Sequence, residues 1–491
     1  MATTPATGSA AASLRRYLRS ADGRALIVIV TLALVIRLVS VAWLHPDPRD
    51  GRFDDSVFYD ATARHLAAGD GYVFDPTIWV AADGTPLYPG EHELTATALW
   101  PPGYPLTLAP LYAVSGDSLW AARLLNVAFA AGACGLTFVL ARRFFGLLEA
   151  TVAGGALALM PSHILFTSIL LSETEFSFLL PLTLVIAAYF VFPRERGAAA
   201  GDGAARMPPS VRYLALTALL GALAAFTGYA RGEFLLFGAV FAILLVVRWR
   251  ARAALPVAAL ACGAALVVVP WTVRNTVSLG EPIVGTTGAG RTMYQGHNPD
   301  ADGGPSLIAA SQLEARFAGQ DRKTIEVESN KEGIRLSREY ALDHPLDELR
   351  LIPRRLYHLF RSDEPGVTWL NTNNPLLSPQ TSDRLIRLSS FVFFGLIAVA
   401  LASATRWWRP RDLAFWAVFS VVPFNIVIFG VLFIGDPRYH YALYLPLAIF
   451  AAPGIGALVR LTRASLADVW RDAFGGRSLG AVLRAHGTPR P

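Results

Sequence analysis

The chain has 491 residues, 53% of them hydrophobic and 16% charged, at a mean hydropathy of +0.42. Charge this sparse over such a length argues against a soluble multidomain protein and for a polytopic membrane protein. The net charge of +6 rests almost wholly on arginine, Lys323 and Lys331 being the sole lysines. The arginines fall between apolar runs instead of forming a patch, so nucleic acid is set aside as a partner.

Residues 1–24 begin rich in Ala, Thr and Ser and read as a disordered cytoplasmic N-terminus. Arg15, Arg16, Arg19 and Arg24 precede the apolar run 25–44, which is long enough to span and carries no small-residue cleavage site. It reads as an uncleaved signal anchor. The segment 45–117 is too long for a turn. Its adjacent acids, Asp54 and Asp55, stand ahead of a helix-like run with Tyr59, Ala63 and Leu66. Asp55-Ser56 would cap such a helix, so the acids alone decide nothing about chemistry. "WPPGYPLTLAPLYAVSG", residues 100–116, is apolar but proline-rich and too short to cross. It predicts a helix lying in the outer interface, or re-entrant.

Apolar runs follow at 118–141, 149–166, 169–192, 212–229, 233–247, 253–273, 386–404, 412–434 and 440–459. With the first, these predict about ten transmembrane helices. Cys134 and Cys262 lie within such runs, without metal spacing, and read as small core residues. An inside N-terminus puts Arg142, Arg143, Arg194, Arg196, Arg248, Arg250, Arg252, Arg406 and Arg409 in cytoplasmic loops, leaving Arg231 and Arg438 in the short outer turns. This is the bias that the positive-inside rule expects. It places 45–117 and 274–385 outside as two large extracytoplasmic loops, and 461–491 inside as a basic tail. The second loop contains a polar helical stretch that cannot span.

Two motifs in that loop fail on inspection. "GTTGAGRT" has Arg291 where a phosphate-binding loop needs lysine, and "NPDADGG" reaches Ala309 where a calcium loop needs glutamate. The second reads as a turn. What remains is a group of ionisable residues near the outer boundary: Arg37, Glu173, Glu175, Arg231, Glu233, Arg274, Asp436 and Arg438. Charges at membrane depth face a cavity or a partner. Arg37 with Glu173 or Glu175 reads equally as a fold-fixing ion pair. Arg274 and Arg438 suit either a lipid headgroup or a bound phosphate, through the planar fork of the guanidinium.

Five blocks carry a resemblance: "DDSVFYDATARHLAAGDGY", "PPGYPLTLAPLY", "LLSETEFSFLLP", "PWTVRNTVSLGEPIVGTTGAGRTMYQGHNPDADGG" and "DPRYHYALYLPLAIFAAPG". In this order they resemble the bacterial, family-39-like GT-C membrane glycosyltransferases, relatives of the protein O-mannosyltransferases and of the aminoarabinose transferases that modify lipid A. The resemblance implies an all-α integral membrane fold of GT-C type over residues 25–460. It implies a polyprenyl-phosphate sugar donor and an extracytoplasmic lipid, cell-envelope glycan or protein acceptor. The setting would be the bacterial cytoplasmic membrane, among its lipids, with the active site outside. By the family's spacing of Asp four residues before Tyr, Asp55 is implied as general base in an inverting transfer, with Asp54 standing in for the family's second acid. Substrate-binding roles are implied for Tyr59, Glu173, Arg231, Arg274, Asn275, Tyr294, His297, Asn298, Arg438 and Tyr439. Some relatives use a divalent cation and others do not, and no ligand cluster in this sequence decides between them. A transporter or lipid-linked-sugar flippase is the rival reading, although concentration of polar residues at one face favours an enzyme.

Overall fold

The computed structural model describes residues 7–49, 54–79, 85, 88, 90–193, 209–372, 375–405 and 412–474. Among these, nine helices are long and apolar enough to cross a membrane: Ala21–Trp43, Leu119–Phe144, Ser172–Val191, Val211–Ala230, Gly232–Arg252, Ala254–Leu279, Pro379–Ala404, Leu413–Leu432 and Pro437–Ser465. The chain is an all-α, multi-pass membrane protein.

The tenth expected span, 149–166, is divided. Helix Leu147–Leu159 ends at Met160, and Pro161 opens a separate short helix, Pro161–Phe166. Proline has no N–H to continue the ladder and clashes with the carbonyl four residues back. The carbonyls of Leu157 and Ala158 instead accept from Arg37, at 3.4 and 3.2 Å. A third bond, 2.6 Å long, joins Arg37 to His163 Nδ1. Because guanidinium only donates, that nitrogen accepts. Arg37 therefore pairs with neither Glu173 nor Glu175, contrary to the ion pair that the charge pattern suggests. It holds together the two halves of a broken helix.

Two other boundaries differ from expectation. Thr7–Arg19 forms a helix where a disordered start was expected, and the last helix continues past 460, through Tyr444–Phe474. Residues 1–6 and 475–491 of the expected N-terminus and tail lie outside the described residues. Cys262 is exposed on the outer surface of its helix, whereas Cys134 is buried as expected.

Small residues let spans approach closely. A Cβ at Gly221 would lie 1.9 Å from the Leu260 carbonyl oxygen, and one at Gly263 would lie 1.8 Å from that of Ala218. Helices Val211–Ala230 and Ala254–Leu279 thus meet backbone to backbone, a close approach that hydrocarbon-embedded helices use in place of a hydrophobic drive.

The first large loop folds into helix Asp55–Ala68, closed at its C-terminus by Gly69 in the left-handed region (φ 92°), then a minimal antiparallel pair, Val73–Phe74 with Thr95–Ala96, then helix Gly103–Ser115. The last has 13 residues, too few to span, as the proline-rich sequence predicts. It is fastened to the first helix through Asp60, which accepts from Tyr112 at 2.7 Å, and from Arg49 and Arg64 at 2.9 Å. The second loop contributes helices Gly288–Gly296, Leu307–Ala315, Arg322–Asp343, Pro345–Phe360 and Pro365–Leu370.

Glu326 joins the loops. It accepts from Thr97 Oγ1 at 2.7 Å, the Ala98 amide at 2.8 Å and Thr287 Oγ1 at 2.5 Å. Burial raises its carboxyl above the ordinary value, against the opposing pull of these donors.

Candidate active site

Where the loops meet the ends of the spans, they enclose a cavity of ≈ 820 Å³. Asp54 and Asp55 reach it from the start of helix Asp55–Ala68, but they do different things. Asp54 is the N-cap. Its Oδ1 accepts from the amides of Ser56 and Val57, at 2.6 and 3.2 Å, and from the Ser56 hydroxyl at 2.5 Å. Burial lifts its carboxyl above the ordinary value, and the Ser56 hydroxyl opposes that lift. Asp55 is the first helical residue. Its Oδ1 accepts from the Trp100 indole at 3.1 Å, and its Oδ2 accepts from Arg438 Nη1 at 2.5 Å.

Arg438 comes from the turn Pro437–Leu443, whose N-cap Asp436 accepts the Arg438 amide at 2.7 Å. Its guanidinium faces three ways. Nη1 meets Asp55, Nε donates to Glu173, and the cation lies 4.3 Å from the Trp369 ring centre. Glu173 is fully buried behind the cavity wall and also accepts from Arg231 at 2.8 Å. Arg231 in turn holds Glu233 at 3.1 Å and stands 5.4 Å from the Tyr439 ring. Tyr439 stacks on Phe429 with centroids 4.2 Å apart. Phe429 belongs to the π-helical turn Ile428–Leu432, a widened turn of the kind that clusters at functional sites. Tyr59 lies against the same wall, its hydroxyl donating to Ser172 at 3.3 Å. Burial pushes its phenol far above the ordinary value, so it remains neutral.

Of the residues singled out in sequence, Asp54, Asp55, Tyr59, Arg231, Glu233, Asp436, Arg438 and Tyr439 line the cavity, with Glu173 directly behind. The others lie elsewhere. Arg274 donates to the carbonyls of Thr97 and Tyr72, and Asn275 to that of Ile283, so both tie loop backbone to a span. His297 joins Glu348 and the Leu432 carbonyl, at 2.9 and 3.1 Å. Asn298 closes the end of helix Gly288–Gly296 by donating to the Tyr294 carbonyl at 2.7 Å. Asn298 and Asp302 each accept an amide two residues on, which gives "NPDADGG" the turn geometry expected of it. Trp100 and Trp369 went unmarked in sequence. Each contacts its charged partner across a separation that no local pattern encodes.

No three His, Cys, Asp or Glu side chains among the described residues converge as a metal site. Arg438 and Arg231 already supply the positive charge that a divalent cation would bring to Asp55 and Glu173. Among the described residues, therefore, the site does not fit such an ion. What the arrangement offers is a carboxylate at the cavity wall held by one guanidinium, Arg438, with a second, Arg231, sharing Glu173 with it.

No protein-family model matches the sequence, and no curated protein resembles it in sequence. The fold is similar to the archaeal oligosaccharyltransferase AglB from Archaeoglobus fulgidus, solved with an inhibitory peptide and a dolichol-phosphate. The TM-score is 0.50 at 16% identity, covering 94% of this chain and 53% of that one. A second structure of that enzyme, tethered to an acceptor peptide with the NVT sequon, gives 0.50 at 16% identity, over 94% and 52%. ArnT from Cupriavidus metallidurans, bound to undecaprenyl phosphate, gives 0.39 at 14% identity, over 89% and 79%. The chain spans about half the length of the oligosaccharyltransferase. The likeness to the oligosaccharyltransferase concerns the fold alone.

Proposed function

Taking the GT-C fold as premise, we propose that this chain transfers a sugar from a polyprenyl-phosphate donor to an acceptor hydroxyl or amide outside the cytoplasmic membrane. The acceptor belongs to a lipid, an envelope glycan or a protein. The observation that carries this reading is the contact between Asp55 and Arg438 at the cavity wall. A base and a phosphate-binding cation are already adjacent there.

In the empty site Arg438 holds Asp55. An incoming donor phosphate competes for that guanidinium and frees Asp55 Oδ2 to take a proton from the acceptor. The acceptor atom then attacks the anomeric carbon from the face opposite the phosphate, and the bond from that carbon to the phosphate oxygen breaks. Configuration inverts, the proton rests on Asp55, and polyprenyl phosphate departs. One more negative charge develops on the leaving phosphate. Arg438, backed by Arg231, is placed to stabilise it.

The test is single-turnover transfer from radiolabelled polyprenyl-phosphate sugars by the reconstituted protein. Removing a general base costs about 10²–10⁴-fold in rate. Asp55→Asn is expected to lose transfer on that scale while still binding donor, and Arg438→Lys to weaken donor binding by losing the planar fork. Turnover by Asp55→Asn near the wild-type rate would remove this carboxylate from the chemistry. Transbilayer movement of intact donor without cleavage would favour the flippase.

A further inference from the structure

Helix Pro345–Phe360 has two faces of opposite character. Leu351, Arg355 and Leu359 are buried. Arg355 donates to the carbonyls of Gly296 and Val431, at 2.7 and 3.1 Å, and to Glu348 at 2.8 Å. Leu359 packs with Ile428 and Phe429. This face is therefore clamped to one end of the span Leu413–Leu432, at the level of the cavity.

The opposite face is apolar and open. Leu346, Leu349 and Tyr357 are 67%, 62% and 67% exposed, with exposed Pro353 among them. At about 100° per residue these four fall within about 80° of arc. Exposed Arg350 and Arg354 follow on one flank within about the next 60°, and Arg361 stands on the same flank just past the helix end. Arg350 and Arg361 hold Asp347 and Glu364, each at 2.8 Å, in surface pairs. Such pairs are weak enough to exchange for a phosphate.

A leucine stripe bordered by arginines is the pattern of a helix lying in a membrane interface, where long basic side chains reach to headgroups while the apolar side sinks. Continuity identifies what covers the stripe. Val427, Val431 and Leu432 are exposed on the span that the helix grips, as part of its lipid-facing surface. Leu356, which lies within about 20° of Leu349 around the helix, packs with Ile428 and Phe429 of that span, so the stripe adjoins the span's lipid-facing surface.

We infer that helix Pro345–Phe360 lies in the membrane interface on the cavity side, with Leu346, Leu349 and Tyr357 among acyl chains and Arg350, Arg354 and Arg361 on the phosphates of anionic phospholipids. Through Glu348 and Arg355 it would hold His297 and the end of helix Gly288–Gly296, part of the cavity wall, at the height of the bilayer.

The test uses the full chain with Cys262→Ser, in nanodiscs of phosphatidylcholine with and without phosphatidylglycerol. Nitroxide labels on Leu346→Cys and Leu349→Cys are compared with one on Ser311→Cys, an exposed position in the same loop. The first two are expected to be several-fold more accessible to oxygen relative to a nickel chelate than Ser311→Cys. A water-like ratio at Leu346 and Leu349 would overturn the inference. So would protection from both probes that disappears on dilution, which would mean a second copy of the chain. Independently, the triple variant Arg350→Gln, Arg354→Gln, Arg361→Gln should retain several-fold less phosphatidylglycerol in native mass spectra. Unchanged retention would remove the headgroup contacts.

Discussion

At the scale of single residues, the adjacent acids divide their work by one step along the chain. Asp54 accepts the first amides of a helix, and Asp55, inside that helix, turns to Arg438 and Trp100. Replacing an N-cap carboxylate by alanine costs about 1 kcal/mol. Asp54→Ala should therefore lower the melting temperature in detergent while Asp54→Asn does not, because Asn still caps. Trp100 lends itself to a cleaner experiment. Its ring stacks on Phe58 at 4.2 Å and on Trp79 at 5.7 Å, so Trp100→Phe retains an aromatic there while removing the N–H and part of the indole's bulk. A hydrogen bond to a charged group contributes about 1.5–3 kcal/mol. If that bond orients Asp55 for catalysis, kcat should fall about tenfold or more with the fold intact; an unchanged kcat would make the indole a packing residue. The resemblance singles out Asp55 by its spacing from Tyr59, but the sequence offers Asp55-Ser56 as the cap, and only the position of the helix start shows that Asp54 caps instead. Nor could the sequence find Trp100, whose role appears only when residues 45 positions apart meet.

Helices and loops were the most legible level. Length and hydropathy decide whether a segment crosses, and nine runs read as spans cross by those criteria. The divided helix escaped because averaged hydropathy does not register the N–H missing at Pro161, nor the distant arginine that answers the freed carbonyls. Close helix approach was equally hidden, since Gly221 and Gly263 declare a contact only as a pair. Gly263→Leu should force helices Val211–Ala230 and Ala254–Leu279 apart at a cost of about 1–3 kcal/mol, seen as a lower melting temperature. A substitution at Gly155, where an added Cβ meets nothing within 4 Å, is the control. Glu326 gives the loop seam a pH dependence. Burial raises its folded-state pKa, so between the unfolded and folded values the native chain binds more protons than the unfolded one. Its contribution is thus most favourable below the unfolded value of about 4.3 and declines as pH rises through the folded value. Glu326→Gln retains an acceptor for Ala98 without the charge. Its stability should fall less than that of wild type over the same rise in pH, measured as the difference between the two melting curves.

Across the whole molecule, the cavity lies at one end of the spans, and Arg142, Arg143 and Arg460 pair with Asp22, Asp412 and Glu149 away from it. Arginine asymmetry predicts which of the two ends faces the cytoplasm. The cavity itself was not legible, because its wall draws on segments from Asp54 to Tyr439 that only tertiary packing unites. Orientation in the membrane is checked with single cysteines in a Cys262→Ser background. Ser311→Cys should react with an impermeant reagent added to intact cells, and Ala251→Cys, on the opposite side of the spans, should react only after lysis. The reverse pattern would invert the assignment. Arg438 has a further consequence at this scale. Since Asp55 already occupies its guanidinium, and Glu173 holds the other side, a phosphate gains there only what remains after the Asp55 carboxylate is displaced. Free phosphate and soluble nucleotides should inhibit poorly, each having to win that exchange from dilute solution. A phosphate tethered by its prenyl chain is presented at a high effective concentration and wins it without needing greater intrinsic affinity. Selectivity for the donor would then come less from the shape of the anion site than from the bilayer that delivers the anion.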